Sequence, residues 1–231
     1  MSVRLAVNSE NQLQEINEMN FAKQPPALKW AAKIISFIFH PVFVPIYVIS
    51  FMVYIDPYIF AGFSIWNKSI ALIQAFVMFT FFPVVTVLLL KALKFVNTIY
   101  LETQKDRIIP YIACGVWYFW VWYVWHNLPE YPAPAIKFAM AIFLASSLGL
   151  MANIYMKVSM HAISMGVMLT CVITLGIAGA GFGIYIAIAL IIAGLVCTAR
   201  LIASNHTQKE IYVGLIIGII SQLIGTSIGN F

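Results

Sequence analysis

Long apolar runs, interrupted by a few short polar clusters, make up most of this 231-residue chain. Seven runs approach or exceed the roughly 20 mostly apolar residues that a bilayer span requires. They cover about 30–55, 69–95, 108–126, 133–155, 159–179, 182–201 and 208–228. The first contains "FHPVFVPIY", where Pro41 and Pro45 interrupt the helical hydrogen-bond ladder. It is expected to kink or to fold back as a re-entrant hairpin, so the count is six to seven spans. The fifth and sixth runs are separated only by the Gly-rich turn "AGAGFG". Residues 1–29 are polar and lack the apolar stretch and small-residue cleavage site of a signal peptide. They are expected to form a mobile tail or a short surface helix. No repeat, low-complexity tract or soluble domain follows, so residues 30–231 read as one integral-membrane domain. The expected fold class is all-α, a polytopic transmembrane helical bundle.

Composition agrees with the pattern. Hydrophobic residues make up 62% and charged residues only 9%, against about a quarter charged in a soluble domain. The net charge of +5 is scattered among apolar runs. This excludes a nucleic-acid surface and marks the cations as topology signals or site residues. Cys114, Cys171 and Cys197 fall inside apolar runs, so no disulfide framework or cysteine metal site is implied.

Polar residues are costly near hydrocarbon and mark function or an interface. Three clusters stand out. "LETQKDRIIP" (101–110) carries Glu102, Lys105, Asp106 and Arg107; "MKVSMHAIS" (156–164) carries Lys157, Ser159, His161 and Ser164; "ARLIASNHTQKE" (199–210) carries Arg200, His206, Lys209 and Glu210. Two spans separate the first cluster from the second, and two separate the second from the third. An even number of crossings returns the chain to one face, so all three clusters are expected to meet there. Each also opens a helix. Pro110 suits a first turn, Ser159 suits an N-cap with His161 in the first turn, and Ser204 or Asn205 suits the cap of the last helix. Helix N-termini joined by Lys105, Arg107, Lys157 and Arg200 would bind an anion, and the expected ligand is a phosphate group at the membrane surface.

His206 and Glu210 lie four residues apart and would share a helical face. A carboxylate there would hold one imidazole nitrogen and leave the other for attack. His161, arriving from another helix, would protonate a leaving oxygen, and Arg200 and Arg107 would hold phosphate oxygens.

These clusters resemble the type 2 phosphatidic acid phosphatase (PAP2) and vanadium haloperoxidase superfamily. Its third motif, SRxxxxxHxxxD, is matched by Arg200, His206 and Glu210 at the family spacing, with Ala199 for Ser and Glu for Asp. Its second, PSGH, is similar to Val158-Ser159-Met160-His161. Its first, KxxxxxxRP, finds Lys105, Arg107 and Pro110 at altered spacing. The resemblance covers about 101–231 and implies a PAP2-like core. It implies that His206 forms a phosphohistidine, that Glu210 orients it, and that His161 protonates the leaving alcohol. Arg200, Arg107, Lys105 and Ser159 would bind phosphate, with no metal and no cofactor. The implied activity is that of a lipid phosphatase acting on a phosphate or diphosphate monoester.

Other functions fit some of the same residues. A non-catalytic transporter or binding protein for phosphorylated lipids would need the cations but not the histidines, and a degenerate member would keep only a structural role. A polyprenyl-transferring enzyme is disfavoured, because no pair of Asp-rich motifs exists to hold magnesium diphosphate. His40 suits either a substrate pocket or a kink. His126 is expected in a loop on the opposite face. The run "WYFWVWYVWH" reads as lipid-facing and interfacial packing, Lys157 as an anchor or peripheral phosphate contact, and Lys209 as solvent-facing. With seven spans, the N-terminus and the clusters share a face holding Arg4, Lys23, Lys29, Lys33, Lys91 and Lys94, against Lys68 and Lys137 opposite. The positive-inside rule makes that face cytoplasmic, in a bacterial inner membrane, whereas the resemblance implies a site on the outer side of that membrane.

Overall fold

The computed structural model describes residues 5–7, 13–15, 24–96, 98, 101, 103–178, 182–203 and 206–228. Two short strands come first. β1 (Leu5–Val7) pairs antiparallel with β2 (Leu13–Glu15), in the register Leu5↔Glu15, Ala6↔Gln14 and Val7↔Leu13. This differs from the tail or surface helix expected there. Leu5 and Val7 flank Ala6, and the turn-prone Asn-Ser-Glu-Asn stretch separates the strands, a hairpin pattern too short to stand out in the sequence.

The rest of the described chain is helical. α1 (Pro26–Ile38) and α2 (Val44–Ser50) are followed by a π-helical turn at Phe51–Ile55. α3 (Ile65–Phe76), a second π turn at Val77–Phe81 and α4 (Phe82–Ala92) form one 28-residue rod. Then come α5 (Gln104–His126), α6 (Ala133–Tyr155), α7 (Met160–Ala178), α8 (Gly183–Ala203) and α9 (Gln208–Ile228). Six helices are long and apolar enough to cross a membrane, namely the rod and α5 to α9. At 1.5 Å per residue, a 21-residue helix reaches about the 30 Å of a hydrocarbon core. The chain is an integral membrane protein.

The first apolar run is broken rather than bent. Phe39–Phe43 leaves the helix, and neither α1 nor the Val44–Ile55 piece is long enough to span alone. Proline rings at 41 and 45 remove two donors, and other groups satisfy the backbone freed by the break. Thr80 Oγ1 donates to the Val42 carbonyl (2.8 Å), Tyr47 OH to the Ile38 carbonyl (2.9 Å), and the Val42 N–H to His40 Nδ1 (3.4 Å). Phe60 and Phe63 meet Tyr131 in the α5–α6 connection, with ring centroids 6.3 and 5.9 Å away. α2 therefore leads from the break toward the α5–α6 end of the bundle.

The core is built from α2, the rod and α5 to α8, and the most extensive helix packing is α7 on α9, with α6 against both. Glycine makes that approach possible. A Cβ on Gly166 would collide with the Leu215 carbonyl, and one on Gly218 with the Ile163 carbonyl. Gly225 also lies close to α6, where an added Cβ would sit 2.9 Å from the Ala141 nitrogen and the Lys137 carbonyl. Backbones brought together this way gain van der Waals contact that lipid cannot supply. The aromatic run of α5 divides between two environments. Phe119, Trp120 and Tyr123 face outward, while Trp125 is buried against Phe79 and Tyr131. His126 closes α5, stacked on Trp122, rather than lying in the loop beyond it.

α5 starts four residues earlier than the apolar run suggested. Thr103 caps it, its Oγ1 accepting from the Asp106 N–H (3.1 Å). Pro110 therefore stands inside the helix rather than in its first turn. A threonine cap with a carboxylate three residues on overrode the proline signal.

Candidate active site

The three polar clusters do come together. Arg107, on the second turn of α5, is 5% exposed. Its Nη1 donates to the Val158 carbonyl (2.6 Å), just ahead of α7, and its Nε to the Leu101 carbonyl (2.8 Å). The Ser159 N–H donates to the Glu210 carbonyl (3.3 Å), tying the start of α7 to the start of α9. Gln104 and Asn153 add a reciprocal clamp. The Gln104 amide donates to the Asn153 carbonyl (3.0 Å), and the Asn153 amide to the Gln104 carbonyl (2.8 Å). The N-terminal ends of α5, α7 and α9 and the C-terminal end of α6 thus form one surface.

Ser159 caps α7 as the spacing implied. Its Oγ accepts from the Ala162 N–H (3.4 Å), leaving His161 in the first turn. The cap expected from Ser204 or Asn205 lies outside the described residues, as does Glu102. The observed cap of α9 is Thr207. Its Oγ1 accepts from the Glu210 N–H (3.3 Å), while Glu210 Oε2 accepts from the Thr207 N–H (3.1 Å). This is a reciprocal capping box, and Thr-x-x-Glu at 207–210 is its sequence signature.

The capping box also explains how His206 meets Glu210. The pair is formed, with His206 Nδ1 2.8 Å from Glu210 Oε2. It does not arise from a shared helical face, because His206 precedes the cap. Glu210 curls back to close the capping box, and the same oxygen takes the imidazole. A carboxylate only accepts, so Nδ1 donates to it. His206 is buried, with 3% of its side chain exposed, and Glu210 is 17% exposed. Burial, then the charges of Arg107, Arg200 and Lys157, push the His206 pKa down to about 3, opposed by a backbone hydrogen bond to Lys157. Its paired carboxylate favours the cation, but burial, and after it the three neighbouring positive charges, cost more.

His161 lies within electrostatic reach of Arg200 and His206. Its Nε2 is 3.0 Å from the carbonyl oxygen of Ser36 in α1. Arg200, on the last turn of α8, is half-buried and acts electrostatically on both histidines. Lys105 is exposed and is not among the charges acting on His206. Lys209 is exposed as expected. Arg107 has two of its five N–H donors committed to backbone carbonyls, so here it serves as a brace. Lys157 contributes both its charge and its backbone to His206. Of the two readings of His40, the structure shows the kink. His40 supports the α1–α2 break, and its ring lies 5.3 Å from that of His161. Among the described residues, no three His, Cys, Asp or Glu side chains gather closely enough to share a metal ion.

These features define a class, an integral-membrane helical bundle with a histidine–carboxylate pair set among cations at one surface. No family model, curated protein or solved structure matches the chain.

Proposed function

We propose that the chain is an integral-membrane lipid phosphatase that works through a phosphohistidine, with a PAP2-like core. The observation that carries the reading is the His206–Glu210 hydrogen bond, which holds Nδ1 and so assigns attack to Nε2, within reach of the charges of Arg107, Arg200 and Lys157. His206 Nε2 attacks phosphorus as the bond from phosphorus to the lipid oxygen breaks. A monoanionic phosphate brings its own proton, which His161 accepts on its free nitrogen and passes to the departing oxygen. Water, losing a proton to His161, then cleaves the phosphorus–nitrogen bond and returns His206. Arg200 and Lys157 hold the phosphoryl oxygens, Arg107 holds the frame, and Ser159 offers its hydroxyl. The chemistry calls on no metal and no cofactor. Substrate and bilayer lipids are the expected partners.

The test is phosphate release from a panel of lipid mono- and diphosphates by purified protein in EDTA, with His206→Ala alongside. Turnover that His206→Ala abolishes supports the reading. Tight lipid-phosphate binding without turnover would favour a transporter or binding protein. Full activity in His206→Ala would remove the mechanism.

The site side carries Lys91, Lys94, Lys105, Arg107, Lys157, Arg200 and Lys209, and the other side Lys68 and Lys137. The positive-inside rule therefore supports a cytoplasmic site in a bacterial inner membrane. In intact cells and a Cys-free background, an impermeant thiol reagent should label Tyr58→Cys and spare Lys94→Cys. The reverse result would overturn the orientation.

A further inference from the structure

The α1–α2 region lies outside the stretch that carries the phosphatase resemblance, yet it supplies two partners of the His161 ring, Ser36 and His40. Ser36, 6% exposed, faces His161 through its carbonyl at 3.0 Å. A carbonyl can only accept, so His161 Nε2 must carry the proton, and Nδ1 is the nitrogen left to exchange one with a substrate. His40 stands beside it. The two rings are 5.3 Å apart and 82° to each other, an edge-to-face arrangement. His40 is itself held on two sides. Its Nδ1 accepts from the Val42 N–H (3.4 Å), and its ring meets Phe43 at 6.2 Å and 65°. The turn that fixes His40 is anchored by Thr80 of the 28-residue rod, through the Val42 carbonyl.

An imidazole held by one hydrogen bond can rotate about χ2, which carries Cε1 into the place of Nε2, breaks that bond and leaves the proton to either nitrogen. A second ring set perpendicular to it blocks that rotation. We propose that His40 is a positioning residue for His161, holding its imidazole in the plane where Nε2 donates to Ser36 and Nδ1 serves the leaving oxygen. Ser36 then does for His161 what Glu210 does for His206. The proposal deepens the phosphatase reading and rests on it for the role of Nδ1, but the ring geometry stands without it.

The experiment uses the full chain in detergent, with ¹⁵N-labelled histidine. The chain has four histidines, so the resonances can be assigned by substitution. In wild type and His40→Phe, which keeps a ring at this position, the His161 proton should sit on Nε2. In His40→Ala it should be shared between the two nitrogens. Phosphate release should follow. His40→Ala should slow hydrolysis of a lipid phosphate about 10-fold, part of the ~10²–10⁴-fold that general acid assistance supplies. It should leave the initial burst of p-nitrophenolate from p-nitrophenyl phosphate, whose leaving group needs no proton, nearly unchanged. His40→Phe should restore the lipid rate. His40→Asn keeps only an acceptor for the Val42 N–H, so rescue by it and not by Phe would make His40 a turn cap and overturn the proposal. An unchanged His161 tautomer in His40→Ala would overturn it as well. If wild-type protein hydrolyses no lipid phosphate, the phosphatase reading fails, and the tautomer measurement still decides the role of His40.

Discussion

Gly218→Ala is expected to damage the site from two turns away. Gly218 lies on α9 below Glu210, facing the segment of α7 that begins with His161. An added Cβ would collide with the Ile163 carbonyl and lie 2.8 Å from the Val167 nitrogen and 2.9 Å from the Gly166 Cα. All three are backbone atoms, so no side chain can swing aside. α7 and α9 must separate by about 1 Å, and a misplacement of that size near a reacting centre can cost ~10²-fold in rate. Overpacking adds about 1–3 kcal/mol of destabilisation. The control is Gly194→Ala on α8, where the new Cβ meets nothing within 4 Å and alanine favours the helix by roughly 0.5–1 kcal/mol. Thermal unfolding in detergent and lipid-phosphate hydrolysis should both fall for Gly218→Ala and hold for Gly194→Ala. If Gly218→Ala matches wild type in both assays, the close α7–α9 approach does not set the site.

Two further outcomes follow from the charges. Arg107→Ala strands the Val158 and Leu101 carbonyls, at about 1–3 kcal/mol for the buried Val158 acceptor and less for the half-buried Leu101. It should lower the melting temperature by several degrees, and Arg107→Lys, which lacks the planar fork, should restore little of it. The His206 pKa falls from 6.5 to about 3 on folding, so between those values the unfolded chain binds the extra proton first. Stability from this group is present above about pH 6.5 and is lost as pH drops toward 3, since it follows the difference in bound protons. His206→Asn should flatten the fall in melting temperature over that window, and an unchanged slope would contradict a neutral, buried His206.

Much of the frame was readable in advance, for simple reasons. A bilayer demands about 20 apolar residues per helix, and six of the seven runs are spans within a few residues of where the pattern put them. Counting crossings in pairs predicted that residues 101–110, 156–164 and 199–210 would meet, and the Arg107–Val158 and Ser159–Glu210 hydrogen bonds join them. The His206–Glu210 pair was found for a different reason from the one that forms it. Spacing suggested a helical face, whereas Thr207 ends the helix between them and the carboxylate folds back across it. That signature was present at 207–210 and went unread. Other features depend on partners far along the chain. Thr80 stabilises the break at Val42 from 38 residues away, and Ser36 meets His161 across 125. Periodicity carries no trace of such contacts. The guanidinium of Arg107 was assigned to phosphate from its type alone, and only folding reveals that two of its donors already serve the backbone.

The central claim is that His206 carries phosphate in the reaction. Purified protein should be mixed with a ³²P-labelled lipid phosphate, quenched in alkali, where phosphohistidine survives, and mapped by peptide. The account predicts a transient label on His206 that appears before free phosphate, persists longer in His161→Ala and is missing in His206→Ala. Phosphate release with no label on His206, or the same label with His206 replaced, would contradict it.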